Sequence, residues 1–169
     1  MLIGACNALV VPKLGLQVAH ITGYCRLPHV ADNYTATQQY NDLMNAVIHY
    51  GPVAISAAAE PWQMYERGVY DGNCGADVDH AIQLVGYGTN KGLLATKDYW
   101  LVRNSWGASW GEKGYIRIER FGGKATEKCL TDKTPGDGTA CKGDPATMEV
   151  CGLCGILSDS SYPVGGSLV

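Results

Sequence analysis

Hydrophobic and polar positions along this chain change period several times. Between Val18 and Leu27, β-forming residues alternate loosely, which predicts a strand. Thr35-Ala-Thr-Gln38 reads as a capping box, with the Thr side chain taking a backbone N–H and the Gln reaching back. A helix then runs to about Tyr50, with Leu43, Ala46, Val47 and Tyr50 on one face. Gly51 supplies a left-handed cap and Pro52 stops the helix. Val53 to Ala58 reads as a strand and Trp62 to Glu66 as one helical turn. Strands follow over Asp79 to Gly88, Asp98 to Asn104 and Tyr115 to Arg120, the first two joined by a hairpin loop from Lys91 to Asp98. From Phe121 to Glu149 Gly, Thr, Lys, Asp and Pro dominate and no apolar period survives, which predicts a long loop. An apolar stretch, Gly155 to Pro163, closes the pattern. The class is α+β: one main helix, about residues 35–50, and a small, curled antiparallel sheet.

Composition narrows the function classes. The chain has 169 residues, 46% hydrophobic and 17% charged, with a net charge of −3. It is long enough for one domain, 1–169, and too apolar for a disordered chain. Without a Lys/Arg cluster it lacks the footprint of a nucleic-acid binder. No apolar run approaches the roughly 20 residues that span a bilayer. Seven Cys favour an oxidising compartment. Asn33-Tyr34-Thr35 is an N-glycosylation sequon, consistent with that setting. Cys151-Gly-Leu-Cys154 has metal-like spacing, but no second close pair accompanies it, so neither a metal nor a cofactor is expected. The odd Cys count leaves at least one thiol free or paired outside the chain. Met1 to Val11 lacks the basic start and cleavage site of a secretory signal, which suggests a piece of a longer precursor.

Two segments carry candidate chemistry. His80 opens a strand reading Ala-Ile-Gln-Leu-Val-Gly-Tyr-Gly, and alone is as easily structural. Asn104 ends a strand and is followed by Trp106 and Trp110 in glycine-flanked turns. An amide that must orient an imidazole gains from such indole shielding, because excluding water strengthens the hydrogen bond and holds one ring tautomer.

Gly51-Pro-Val-Ala-Ile, Val78-Asp-His-Ala81, Gly86-Tyr-Gly88, Tyr99-Trp-Leu-Val-Arg-Asn-Ser-Trp-Gly107, Trp110-Gly-Glu-Lys-Gly-Tyr-Ile-Arg117 and Cys154-Gly-Ile…Ser161-Tyr-Pro163 resemble, in order, the papain-like cysteine peptidases. The resemblance implies the right-hand lobe of that fold, a small antiparallel β-barrel. It implies His80 as general base and acid and Asn104 as its orienter. Trp106 would roof their bond and Trp110 would wall the leaving-group side. Ser56, Val78, Asp79, Ala81 and Asp159 would meet substrate, Asp159 giving the pocket an acidic floor that tolerates Arg or Lys. Cys74 and Cys154 would form a disulfide. Cys6 would reach into the other lobe. Cys129 with Cys141 or Cys151 would staple an insertion at about 122–150.

One departure is large. The nucleophile of such peptidases lies some 130–150 residues before the His, and only 79 residues precede His80. Neither Cys6, in Gly-Ala-Cys-Asn, nor Cys25, in Gly-Tyr-Cys-Arg, has the Cys-Trp context, and the oxyanion Gln is missing. The expected activity is therefore cysteine-type peptide hydrolysis in which this chain supplies His and Asn, while the Cys lies on an N-terminal lobe or partner chain. The alternative is an inactive pseudopeptidase serving as a structural or binding subunit. The resemblance and the Cys count suggest a lysosomal, vacuolar or secreted setting. The sheet face meeting the other lobe is expected to be apolar.

Overall fold

A computed structural model describes residues 5–8, 19–28, 33–92, 95–122, 128–140 and 143–168, the first of these by backbone alone. Among the described residues one α-helix, α1, covers Ala36–Tyr50. Thr35 caps it in extended geometry. The Gln38 N–H donates to Thr35 Oγ1 at 3.2 Å, and the Thr35 N–H donates to Gln38 Oε1 at 2.9 Å. Gly51 follows at φ +87°, a conformation that glycine adopts without a Cβ clash. The buried residues are Gln39, Tyr40, Leu43 and Ala46, on the expected face, with Val47 partly buried against the core. Tyr50 is half exposed and stacks on Tyr162 at 4.3 Å.

The principal sheet has eight strands. They are β1 (Ala5–Ala8), β3 (Gly23–Arg26), β4 (Val53–Ala57), β5 (Val69–Tyr70), β6 (His80–Lys91), β7 (Thr96–Arg103), β8 (Tyr115–Glu119) and β11 (Ser160–Val164). Their order is β1-β3-β11-β4-β6-β7-β8-β5. All neighbours are antiparallel except β5 and β8, which run parallel. The sheet is thus curled and open, ending on β1 and β5, rather than closed as a barrel. Alternation buries one face of it: Val53, Ile55, Ala57, Ile82, Leu84, Trp100, Val102, Ile116 and Ile118 form the core against α1.

Three segments differ from the periodic expectation. The strand expected over Val18–Leu27 is split into β2 (Ala19–His20) and β3, because Thr22 turns to bond Val164 O through both its N–H and its hydroxyl. β2 pairs instead with β12 (Ser167–Leu168). The expected helical turn is a 3-10 turn at Glu60–Met64, begun by Pro61. The expected structureless stretch contains a hairpin, β9 (Cys129–Asp132) with β10 (Met148–Cys151), closed by the Cys129–Cys151 disulfide. Cys141 lies outside the described residues.

Cys74 and Cys154 are bonded as the resemblance implied. Cys25 is disulfide-bonded, and strand register sets the Cys6 backbone opposite it. The Cys6 side chain is outside the described ones.

Arg120 is a largely covered cation beside the helix. Its guanidinium lies over Tyr87, Trp100 and Tyr40 at 5.0, 5.7 and 5.8 Å, donates to the Tyr40 hydroxyl, and faces Asp98 at 3.8 Å.

Candidate active site

β6 and β7 are antiparallel neighbours, so the start of β6 meets the end of β7. His80 begins the first and Asn104 follows the last residue of the second. The Asn104 backbone is fastened by its N–H to Gly114 O at 2.9 Å. Its side-chain oxygen lies 2.9 Å from His80 Nε2. The same Oδ1 accepts the Ser105 N–H at 2.7 Å. A backbone N–H can only donate, so that atom is the amide oxygen and the hydrogen between it and the ring belongs to Nε2. His80 Nδ1 is left with a lone pair, the form of a general base.

Trp106 stacks on the His80 ring at 5.3 Å and 29°. Trp110 meets Trp106 edge-on at 5.0 Å and rests on Tyr65 at 5.6 Å. Trp110 therefore supports the roof that Trp106 forms. Asn104 is 8% exposed beneath it, while Trp106 is 38% exposed. The turn carrying both indoles needs a glycine at 111. Its φ is +54°, and a Cβ there would sit 2.7 Å from Tyr115 O and 3.1 Å from the Tyr65 ring.

Sequence reasoning did not single out the brace beneath this turn, although Glu112 and Arg117 lie inside the quoted motif. Arg117 donates to Glu112 through Nε at 2.8 Å and Nη2 at 2.6 Å, and the Gly68 N–H donates to Glu112 Oε1 at 3.0 Å. The guanidinium holds the Glu112 carboxyl below the usual range, and Glu112 holds Arg117 above its own. A depressed carboxylate contributes stability that is present above its unfolded pKa, about 4.3, and is lost as pH falls through the folded value. Chemical denaturation as a function of pH should show this loss below about pH 4.3 in the wild type, and Glu112→Gln should flatten that part of the curve.

The residues expected to meet substrate divide into two groups. Ser56 and Ala81 are cross-strand partners, and Ser56 N–H donates to Asp159 O at 3.1 Å. Ser56 Oγ donates to Asp159 Oδ2 at 2.7 Å, while Arg26 Nε stands 3.8 Å from Oδ1. Val78 and Asp79 lie at the edge of this group. Val78 is 1% exposed, and Asp79 Oδ1 accepts the Ala59 N–H at 2.9 Å. Asn33 is exposed at φ +65°, two residues before the helix cap.

The outer sheet face beside the site mixes polar and apolar side chains. Arg26, Ser161, Ala54, Gln83 and Arg103 stand in one register row across five strands. A shallow depression lined by Ala81, Ile82, Gln83, Arg103, Asn104 and Ser105 adjoins them. Outward positions of the two-residue repeat carry many small or polar side chains, with Tyr24, Tyr99, Leu101 and Tyr115 among them.

Comparison with known proteins finds related sequences and structures. The sequence model of the family described as papain family cysteine protease matches residues 18–135. Vignain of Ricinus communis is 41% identical over 162 residues, 95% of this chain and 34% of its own length. Cysteine proteinase COT44 of Brassica napus is 40% identical over 163 residues, 95% of this chain and 37% of its own. Among solved structures, bromelain from Ananas comosus in complex with the E64 inhibitor superposes with a TM-score of 0.58 at 34% identity, covering 86% of this chain and 51% of that one. Digestive procathepsin L 3 of Tenebrio molitor gives 0.56 at 30%, covering 86% and 36%. The chain spans about a third of the length of these two curated relatives.

Proposed function

Because this chain belongs to the papain family of cysteine proteases, we propose that it supplies the base half of a thiol peptidase, with the nucleophile delivered by an N-terminal lobe or a partner chain. One observation carries the reading: Asn104 Oδ1 holds His80 Nε2–H at 2.9 Å under Trp106, leaving Nδ1 basic. Every cysteine whose side chain is described is disulfide-bonded, so none of these five can be the thiolate.

The chemistry then runs as acyl transfer. Nδ1 takes the thiol proton, and sulfur attacks the peptide carbonyl carbon. The imidazolium protonates the departing amine as the C–N bond breaks, leaving a thioester. Water, deprotonated by the same Nδ1, attacks the thioester, and the thiol recovers its proton. Asn104 keeps the ring in one tautomer throughout, and the Trp106 indole excludes water from the bond.

Substrates are peptides or proteins. Ser56, Ala81 and Asp159, backed by Val78 and Asp79, receive the side chain of the second residue before the cut. A basic side chain there competes with Arg26 for Asp159, and Asp159→Ala should abolish any preference for Arg in peptide profiling. The chain is one lobe with an insertion at about 122–150, acts in a vacuole, lysosome or extracellular space, and carries glycan at Asn33.

The test is capture by E64, the inhibitor in the bromelain structure. A protein in which this chain is joined to a cysteine-bearing lobe should bind E64 on that lobe and cleave peptides. His80→Ala should do neither. E64 capture without peptide cleavage would establish an inactive binding subunit instead.

A further inference from the structure

The hairpin of β9 and β10 has no part in the reaction described above, yet it touches the segment that leads into His80. Its chain beyond β9 forms a stiff turn. Asp132, 1% exposed, accepts the Thr134 N–H at 2.8 Å. Pro135 is buried and starts a 3-10 turn, and its carbonyl accepts the Ala140 N–H at 2.8 Å. Gly138 follows, pressed onto the Val78–Asp79 peptide. A Cβ at position 138 would overlap the Val78 carbonyl oxygen and lie 2.9 Å from its carbon and 3.3 Å from Asp79 Cα. Thr134 Oγ1 donates to Asp77 Oδ1 at 3.3 Å. Gly155 closes from another side, where a Cβ would stand 2.8 Å from Val78 Cγ2.

Residues 77–79 are thus gripped by the hairpin turn, while β4 holds Asp79 through its N–H to Ala57 O at 3.2 Å. His80 is the next residue, paired with Ala57. Two disulfides anchor the arrangement within four residues: Cys151 ties the hairpin base, and Cys154 ties the loop before His80. A side chain's position follows its backbone, and a displacement of about 1 Å is enough to spoil a catalytic hydrogen bond.

From these contacts we infer that the hairpin of β9 and β10, through its turn at 134–140, is a positioning element for His80, with Gly138 and Thr134 as the positioning residues. The inference rests on reading His80 as the base, and deepens it. Gly138 has φ −142° and ψ −71°, outside the β and right-handed α regions of L-residues, so Gly138→Ala challenges the backbone conformation as well as the contact with Val78, and Thr134→Val is the variant that tests the grip on residues 77–79 alone. Gly136, in the same turn, has open space around it, so Gly136→Ala is the matched control.

The readout is 15N and 1H NMR of the imidazoles in the full chain with its disulfides formed, His80 being assigned by loss of its signals in His80→Gln. The wild type and Gly136→Ala should show a single tautomer with a downfield, hydrogen-bonded Nε2–H. Gly138→Ala should lose that resonance and show averaged ring nitrogens, with the folded near-UV signal kept. Thr134→Val, which adds no bulk, should weaken it in the same direction, and it keeps the test open if Gly138→Ala does not fold. A folded Gly138→Ala, or a Thr134→Val, with wild-type His80 signals overturns the positioning role and leaves the peptidase reading standing. A wild type without the hydrogen-bonded Nε2–H refutes the His80–Asn104 pair itself.

Discussion

His80→Ala should lower kcat/KM for peptide hydrolysis by the assembled protease roughly ten-thousand- to million-fold. Two losses combine. A thiol paired with imidazole ionises with a pKa of about 3–4, and without that partner it returns to about 8.5. At pH 6 only about 0.3% remains thiolate, a loss of roughly 300-fold. Protonation of the departing amine by a positioned acid contributes about 10²–10⁴ more. The residual activity of the variant should therefore climb with pH as the bare thiol ionises. Asn104→Ala keeps the ring but removes the oxygen, 2.9 Å away, that holds its tautomer. Its rate should fall between wild type and His80→Ala. Rates measured across pH 5–9 check both statements, and an Asn104→Ala enzyme slower than His80→Ala would contradict the assignment of roles.

The second large effect concerns stability. Arg120→Ala should destabilise the fold by about 3–5 kcal/mol, lowering the thermal midpoint by roughly 10 °C. The side chain is 10% exposed and fills the space between α1 and the sheet, touching the rings of Tyr40, Trp100 and Tyr87. Truncation leaves a cavity among three aromatic rings and removes the donor that meets the Tyr40 hydroxyl. Arg120→Met refills most of the volume without the charge, and should recover part of the loss. Thermal unfolding followed by near-UV circular dichroism orders the three proteins. An alanine variant as stable as wild type would mean the rings close over the gap unaided.

How much of this could be read beforehand depends on whether a residue's structural cause is local. The helix start was legible because Thr35 and Gln38 satisfy each other within one turn. The strands of the sheet centre were legible because alternate residues, such as Val53, Ile55 and Ala57, share one buried face. The hairpin of β9 and β10 was not, since burial along it has no period of two: Leu130 is 48% exposed while Asp132, on the same side of the strand, is 1% exposed, and β10 buries the adjacent Val150 and Cys151. The break at Thr22 has its cause at Val164, at the far end of the sequence. His80 and Asn104 could be named from their flanking residues, but only the fold shows that Ser105 shares the amide oxygen and that Gly138 stands against the approach to His80.

The strand order has a consequence for biosynthesis. β11 pairs with β3 on one side and β4 on the other, so a segment near the end of this chain separates two made much earlier. While the ribosome is still translating residues 130–150, β3 and β4 have no neighbour between them, and their backbone amides face water. The nascent chain must wait with an incomplete lattice of hydrogen bonds, the situation in which chaperones are recruited and in which long-range pairing makes folding slow. A premature stop codon ahead of Ser160 would thus leave two half-sheets lacking their common seam, although every histidine and asparagine of the proposed site would already have been synthesised.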